Sequence, residues 1–517
     1  VCTFNGKIWL AMKKILTAAS MREVDAHTLQ YHKLEAIQLM EQAALACTDW
    51  ICQHYSTPKK VVVWCGKGNN GGDGLAVARL LHQRGYEVST CVVELHEAVS
   101  SSCFLDNLAR LPLPTLSIRS AEDIFWDADT LCVDAVLGSG VSRPVSGAFS
   151  RLLHDLSKSS TTIVSIDIPS GLPADGDFSE PYPSVTACHT LVLQLPKPVL
   201  FDPAYAKALG TIHYLSIGLS GQAMQEAIPF GWELERSDCS QLLQARARHA
   251  HKGIFGHLLV VAGGYGKMGA ALLAAKASLR SGVGKVSCAV PRHGNPIIQA
   301  ALPEAMTVPC YTKKEVDASF DPSVYDAITI GPGIGMGKGA RNALWKCLKQ
   351  SDTPVVVDAD AIRLLAAGKL ASGEVLARCV FTPHPGEADA LFGQSRRYFE
   401  RLSKAADFAR TYKAIVVVKG GYTAIINTQG TPYFCTLGNP GMSTAGSGDV
   451  LAGIIGSLLA QGFEPFEAAK NAVLWHATSG DIAAATKGEP SMIAGDIVET
   501  LGDAWKALHV SSTMNHR

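Results

Sequence analysis

At 517 residues the chain is long enough for about two to four domains, each with a full hydrophobic core. Lysine plus arginine and aspartate plus glutamate both number 46, so net charge is zero; with no basic run, nucleic acid and anionic membranes are excluded as main partners and small-molecule chemistry is expected. The fourteen cysteines lie mostly in apolar stretches and none forms a CxxC pair, which reads as the reduced core thiols of a cytoplasmic protein.

The N-terminal stretch Val1 to Lys14 carries an apolar patch, Ile8 to Met12, followed by Lys13-Lys14. A signal peptide has the opposite order, basic residues before a longer apolar core. The chain opens on valine, so the true start is expected elsewhere, with Met12 a candidate. No run of ~18 apolar residues marks a membrane span.

Two α/β units are expected, 17–225 and 237–510, both doubly wound. In the first, Met21 to Tyr31 and Ile37 to His54 have helical spacing. Buried strands are expected at Lys60–Cys65, Ser89–Val93, Asp129–Val136, Thr162–Ile166 and Thr190–Leu193, with helices between them. Residues Ser220 to Ala250 show no strong period and read as a linker. In the second unit, strands are expected at His257–Ala262, Lys285–Val290, Ala327–Ile330, Pro354–Val357, Val380–Thr382 and Ala414–Lys419. From Val510 the chain reads as a solvated tail. No internal repeat is visible, so the halves are different folds of one class.

In the first unit a glycine-rich segment follows the Lys60–Cys65 strand: Gly66-Lys67-Gly68-Asn69-Asn70-Gly71-Gly72-Asp73-Gly74, then a helix from Leu75 to Leu81. Strand, glycine loop, helix is the context in which such a loop brings backbone N–H groups to a phosphate. Two further strand ends carry an aspartate followed by glycine: Asp134 before Gly138-Ser139-Gly140, and Asp167 before Ser170-Gly171. Ligands of doubly wound sheets bind outside the carboxyl ends of the strands, so these three segments point to one site. Taken singly, each aspartate also fits a helix cap or a turn.

In the second unit, Asn439-Pro440-Gly441-Met442-Ser443-Thr444-Ala445-Gly446-Ser447-Gly448-Asp449 runs into the apolar Val450 to Ile455. This reads as a glycine loop at a helix N-terminus, with Asp449 at the first helical position. The amides suit phosphate, and the carboxylate is placed as a general base. A glycine-rich turn capped by an aspartate is the plainer alternative. Asp358 and Asp360 end a strand and either face the site or cap the next helix. His384, between prolines, either meets a ligand or orders its loop.

Taken together, these segments resemble the NAD(P)H-hydrate repair enzymes. Asn69–Asp73, Val133–Gly140 and Ile166–Gly171 resemble their epimerase domain. The second unit resembles their ribokinase-like dehydratase domain at Ala262-Gly263-Gly264, Gly331-Pro332-Gly333-Ile334-Gly335, Asp358–Ala361, Thr382-Pro383-His384-Pro385-Gly386-Glu387, Lys419-Gly420-Gly421 and Gly446–Asp449. The resemblance covers nearly the whole chain and implies a Rossmann-like epimerase unit fused to a ribokinase-like, ADP-dependent dehydratase unit. Hydrated NADH and NADPH exist as R and S epimers. The first unit would interconvert them, and the second would dehydrate the S form with ADP, or with ATP, releasing AMP and phosphate in the ADP case.

The resemblance also implies site residues. In the epimerase unit the hydrated dinucleotide would meet Asn69, Asn70, Gly71, Gly72, Asp73, the loop Gly138, Ser139, Gly140, Val141, Ser142, Arg143, Pro144, and Asp167. Asp167 is the candidate for proton transfer, with Lys197. The chain has Pro198-Val199 where the family commonly has Pro-Gly. Potassium would be held at Asn70, Asp134 and Ser170, an oxygen set suited to a hard cation. In the dehydratase unit, Ala270, Gly333, His384 and Asp449 would meet the hydrate. Lys419, Gly420, Gly421, Tyr422, Thr423 and Gly448 would meet the nucleotide, with Mg2+ as its companion. A homo-oligomer is expected. Two other readings stay open: a vitamin or sugar kinase with an accessory domain, and a first unit that acts only as a scaffold.

Overall fold

The computed structural model describes residues 12–514 except 56–59, 95–98, 120–129, 142, 159–161, 177–182, 244–245, 351 and 369–372. The apolar patch at 8–12 therefore lies outside the described residues except for Met12. The chain divides into two compact units, Val1–Gly231 and Trp232–Arg517.

In the first unit, seven parallel strands among the described residues form one sheet. Their order is Thr115–Ile118, Glu87–Val93, Lys60–Cys65, Leu131–Ala135, Thr162–Ile166, His189–Leu193 and Thr211–Leu215. Strand Lys60–Cys65 shows why it reads as a continuous apolar run. Val61, Val63 and Cys65 pack in one core cluster with Ile51, Leu75 and Leu81. Val62 and Trp64 pack on the other face with Leu152, Leu153 and Phe149. Both faces are covered by helices, so neither side of the strand can be polar. The winding direction reverses between Lys60–Cys65 and Leu131–Ala135, which makes that gap the switch point of the sheet.

The five expected strands of this unit are present, with ends moved by at most two residues among the described residues. The edge strand Thr115–Ile118 and the last strand Thr211–Leu215 were not expected. Both are poorly buried and lack an apolar run. The helix expected from Leu75 begins instead at Asn69 and runs to Gln83. The segment Asn69–Gly74 is therefore the first turns of the helix, not a loop. Its glycines serve close approach: a Cβ at Gly71 would overlap the Gly66 carbonyl oxygen, and one at Gly74 would meet the Ala135 side chain at 2.6 Å. Only residues without a Cβ let this helix start lie directly on the strand ends.

The second unit holds a ten-strand run in the order Gly231–Leu234, Pro432–Cys435, Thr423–Ile426, Ile415–Val418, Cys379–Phe381, Val355–Val357, Ala327–Ile330, His257–Val261, Lys285–Val290 and Met306–Pro309. Pairing is parallel from Met306–Pro309 to Ile415–Val418, then antiparallel through the hairpin of Thr423–Ile426 and Pro432–Cys435. The segment expected as a linker contains a helix, Gly221–Glu226, and the strand Gly231–Leu234, which pairs with Pro432–Cys435. Four residues give too short a window for a period to show.

This sheet has its own switch point, between His257–Val261 and Ala327–Ile330. Helix Ser447–Ala460 lies over it and buries twelve residues. It packs on helix Met268–Arg280, where Ser278 Oγ donates to the Gly453 carbonyl at 2.9 Å. A Cβ at Gly453 would overlap Ala274, so glycine sets the closeness of the two helices. The expected tail is helical: Ala494–Met514 is one helix.

Candidate functional site

The carboxyl end of the first sheet opens into a cavity of about 940 Å³, a volume typical of small-molecule sites. It is bounded by Gly66, Lys67 and Gly68 after one central strand and by the loop from Val136 to Ser146 after the other. Asn69, Asn70, Asp73, Asp167 and Lys197 line it, as do Gly138, Ser139, Gly140, Val141, Arg143 and Pro144. Ser142 lies outside the described residues. Gly71 and Gly72 do not line the cavity, being packed against Gly66 and Met40.

Asp167 follows strand Thr162–Ile166 with φ +68°, a left-handed conformation that aspartate tolerates better than most residues. Its N–H donates to the Leu191 carbonyl at 2.8 Å. Its carboxylate is paired with Lys197 Nζ at 2.5 Å, and both side chains are buried. Sequence reasoning proposed both residues, but only the fold shows that they touch. It missed a third group, Asp25, which reaches the same cavity from helix Ala18–His32. Burial pushes the Asp25 carboxyl up to about 6, Lys197 opposing and Asp167 reinforcing. Burial, then Asp167 and Asp25, push the Asp73 carboxyl well above the ordinary carboxylate range. No local pattern marks Asp25, which looks like any polar residue of an amphipathic helix.

Asp134 sits behind the cavity, fully buried at its strand end. It accepts from Ser165 Oγ at 2.7 Å, Ser170 N at 2.9 Å and Ser170 Oγ at 2.5 Å. Asn70 Nδ2 donates to the Leu137 carbonyl at 3.0 Å, and Ser170 Oγ lies 3.0 Å from the same carbonyl oxygen. Burial pushes the Asp134 carboxyl up, against the hydrogen bonds that favour its charged form. Hydroxyl oxygens of Ser165 and Ser170 thus gather around the buried Asp134 carboxylate, with the Leu137 carbonyl and the Asn70 amide beside Ser170, and no cation is paired to Asp134 among the described residues. That donor set fits a hard monovalent cation. No group of three or more His, Cys, Asp or Glu side chains suited to a metal occurs among the described residues.

In the second unit, helix Ser447–Ala460 is preceded by Gly446 at φ +92°, and Asp449 is its third residue, not its first. Lys419, just past strand Ile415–Val418, points at this helix start: a Cβ on Gly448 would lie 3.1 Å from Lys419 Nζ. Lys419 Nζ also pairs with the buried Asp358 at 2.8 Å. Burial works against its ammonium, but Asp358, then Glu387 and Asp449, outweigh it and hold its pKa above the ordinary value. Asp449 is pushed up to about 7 by burial and next by Asp358, with Lys419 opposing.

The structure gives each of the remaining candidate residues definite partners within the protein. Asp358 makes no side-chain cap to its helix; it is engaged with Lys419 and with Thr382 Oγ1 at 2.6 Å. Asp360 Oδ2 accepts from Gly335 N at 2.9 Å and Lys267 Nζ at 3.3 Å, tying two glycine loops together. Gly333, at φ +68°, lies against Ala270. His384 caps helix Pro385–Phe392 through Nδ1, which accepts from Gly386 N at 3.0 Å and Glu387 N at 3.4 Å. Gly420, Gly421 and Tyr422 form the turn between strands Ile415–Val418 and Thr423–Ile426. A further residue missed from sequence is His476, whose Nε2 lies 3.3 Å from Ser447 Oγ. Burial pushes its imidazole down to about 4, so it is neutral beside the helix start.

Two family models match the chain. Residues 36–199 match the YjeF-related protein N-terminus and residues 258–502 match NAD(P)H-hydrate dehydratase. The bifunctional NAD(P)H-hydrate repair enzyme Nnr of Moorella thermoacetica is 33% identical over 513 residues, covering 94% of this chain and 96% of that one. The chain belongs to the bifunctional NAD(P)H-hydrate repair enzymes. The proteins of the same name from Coxiella burnetii and Escherichia coli are each 33% identical, covering 89% and 90% of this chain and 93% and 89% of theirs. These relatives span both units, which a vitamin or sugar kinase with an accessory domain would not require. The first unit is the Rossmann-like epimerase domain of the family and the second its ribokinase-like dehydratase domain. The chain is a bifunctional enzyme of nicotinamide nucleotide repair.

Proposed function

We propose that the two strand-end sites divide the repair between them, with the residues named above in definite roles. The chain interconverts R- and S-NAD(P)HX and dehydrates the S form in an ADP-dependent reaction. The observation that carries the division is that each unit has its own charged site at the carboxyl ends of its own strands.

In the first cavity the hydrated nicotinamide lies against Asp167 and Lys197. Phosphates of the dinucleotide lie along Lys67, Asn69 and the loop of Gly138 to Pro144. Asp167 exchanges the proton and Lys197 holds its carboxylate in place. Potassium would be held by Asn70, Asp134 and Ser170, where its charge would offset that of the buried Asp134 carboxylate.

In the second unit the amides of Gly446 to Gly448 face the transferring phosphoryl group, and Lys419 balances its charge. Asp449 takes the proton of the hydrate hydroxyl as its oxygen attacks the terminal phosphorus of ADP. AMP leaves; the C–O bond of the phosphoryl ester then breaks to release phosphate, and the adjacent ring carbon loses a proton to water as the C=C bond forms, giving NAD(P)H. Ala270, Gly333 and His384 would meet the hydrated nicotinamide. Magnesium would accompany the nucleotide, held chiefly by its phosphate oxygens. The thirteen cysteines among the described residues are all free, consistent with a reducing cytoplasm. We read the enzyme as a homo-oligomer.

The assignment is tested by giving the full chain purified R or S epimer of hydrated NADH, with and without ADP. The S form should return the reduced-nicotinamide absorbance only with nucleotide. The R form should become S without nucleotide. Equal nucleotide-dependent consumption of both epimers in an Asp167→Asn variant would defeat the division of labour.

The cation role has a readout apart from activity. A ligand that binds the folded state alone raises its stability by mass action. The wild-type chain should therefore melt at a higher temperature in potassium chloride than in sodium chloride of equal ionic strength. Asp134→Asn should abolish that difference while dehydration of the S epimer persists. An unchanged potassium effect in this variant would remove the metal role.

A further inference from the structure

We propose that Asp25 is a catalytic acid of the epimerase, the proton-exchanging counterpart of Asp167 across the same cavity. The proposal rests on reading the first cavity as the epimerase site. Asp25 lies ahead of the matched family span, which begins at residue 36, and is supplied by a helix that the fold holds in place. Thr17 caps that helix by accepting from Ser20 N at 3.2 Å. Ala18 N donates to Asp175 Oδ1 at 2.7 Å. Thr28 Oγ1, one turn past Asp25, accepts from Ser220 N at 3.0 Å. Met21, one turn before Asp25, lines the cavity with it, so this side of the helix faces the ligand space.

Two observations indicate that the Asp25 carboxyl is kept for a ligand. The carboxyls of Asp25 and Asp73 make no hydrogen bond or ion pair among the described residues, although both line the cavity; Asp25 is half-buried and Asp73 is 8% exposed. Buried polar groups are ordinarily satisfied within the protein. The charged groups facing Asp25 are Asp73, Asp167 and Lys197, with Arg22 on its own helix and Lys67 and Arg143 elsewhere in the lining. Three carboxylates against the one buried ammonium of Lys197 leave the group most stable with a proton retained. The raised carboxyls of Asp25 and Asp73 are where it resides.

The chemistry then balances. The hydrate carries its hydroxyl on the ring carbon next to the ring nitrogen. Asp25 donates its proton to that hydroxyl, the C–O bond breaks, and water departs. The nitrogen lone pair closes a C=N bond, leaving an iminium ring. Water adds to the other face, its proton passes to the Asp167 carboxylate, and the electron pair returns to nitrogen. The proton has moved from Asp25 to Asp167, and exchange with water in the cavity restores both carboxyls for the next turnover.

The test is steady-state epimerisation of R-NADHX by full-length wild-type, Asp25→Asn and Asp25→Glu chains across pH, with dehydration of pure S epimer as the folding control. The acid must be protonated, so the wild-type kcat should fall as pH rises through an alkaline limb. Asp25→Asn should lose about a hundred-fold or more in kcat, with KM nearly unchanged and that limb gone. Asp25→Glu, which keeps a carboxyl, should recover part of the rate and retain the limb. A kcat for Asp25→Asn within about two-fold of wild type overturns the proposal, as does equal loss in both variants with the limb unmoved. A wild-type chain that dehydrates the S epimer but never converts R to S overturns the reading of the cavity itself.

Discussion

Replacing Asp449 by asparagine is expected to lower kcat for dehydration of the S epimer about a hundred- to ten-thousand-fold, the usual span of a general-base contribution. Asparagine keeps the size and the hydrogen bonding of the side chain but cannot take the hydroxyl proton. Nucleotide binding should persist, because Lys419 and the amides of Gly446 to Gly448 are untouched. Conversion of R to S by the other unit should also persist. The pH dependence adds a second measurement. The Asp449 carboxyl is raised to about 7, by burial first and Asp358 next. As a base it must be ionised, so kcat/KM should rise with pH through about 7 in the wild type, and asparagine should remove that acid limb. If Asp449 only caps its helix, asparagine should do so about equally well. Near-normal dehydration by a folded Asp449→Asn chain would therefore defeat the catalytic role.

The second large effect is expected at Asp167. Asp167→Asn should lower the rate of R-to-S conversion by about a hundred-fold or more, with S-epimer dehydration unchanged. Asparagine is the informative substitution because the residue sits at φ +68°, which Asn accepts nearly as readily as Asp. Alanine would add backbone strain to the loss of the carboxylate. The variant also leaves the buried Lys197 ammonium without its partner at 2.5 Å. Removing one member of a buried pair typically destabilises by about 3–5 kcal/mol. The two effects separate in a combined measurement. Chemical denaturation followed in the first unit reports the lost pair. The kcat of the variant that remains folded reports the lost proton transfer. A folded Asp167→Asn chain that epimerises at the wild-type rate would leave Asp167 a structural partner of Lys197.

Sequence alone determined the central strands and the places where ligands would gather. Lys60–Cys65, Thr162–Ile166 and Ala327–Ile330 are legible because a strand covered on both faces must be apolar throughout. The glycines at Gly66 to Gly74 and Gly446 to Gly448, with aspartates at strand ends, are legible because close backbone approach and charge need those residue types. Short or half-exposed strands such as Thr115–Ile118, Gly231–Leu234 and Pro432–Cys435 carry no such pattern, since their stability comes from neighbours far along the chain.

Only the tertiary structure decided which charges meet. Asp167 pairs with Lys197 across thirty positions and Asp358 with Lys419 across sixty-one. Asp25 reaches the cavity from a helix with no motif, and His476 reaches Ser447 from another. A carboxyl's proton affinity depends on its burial and on the sign of the charges around it. Both are properties of the folded arrangement, so the acid–base character of Asp25, Asp73 and Asp449 exists only once the strand ends and helix starts have come together.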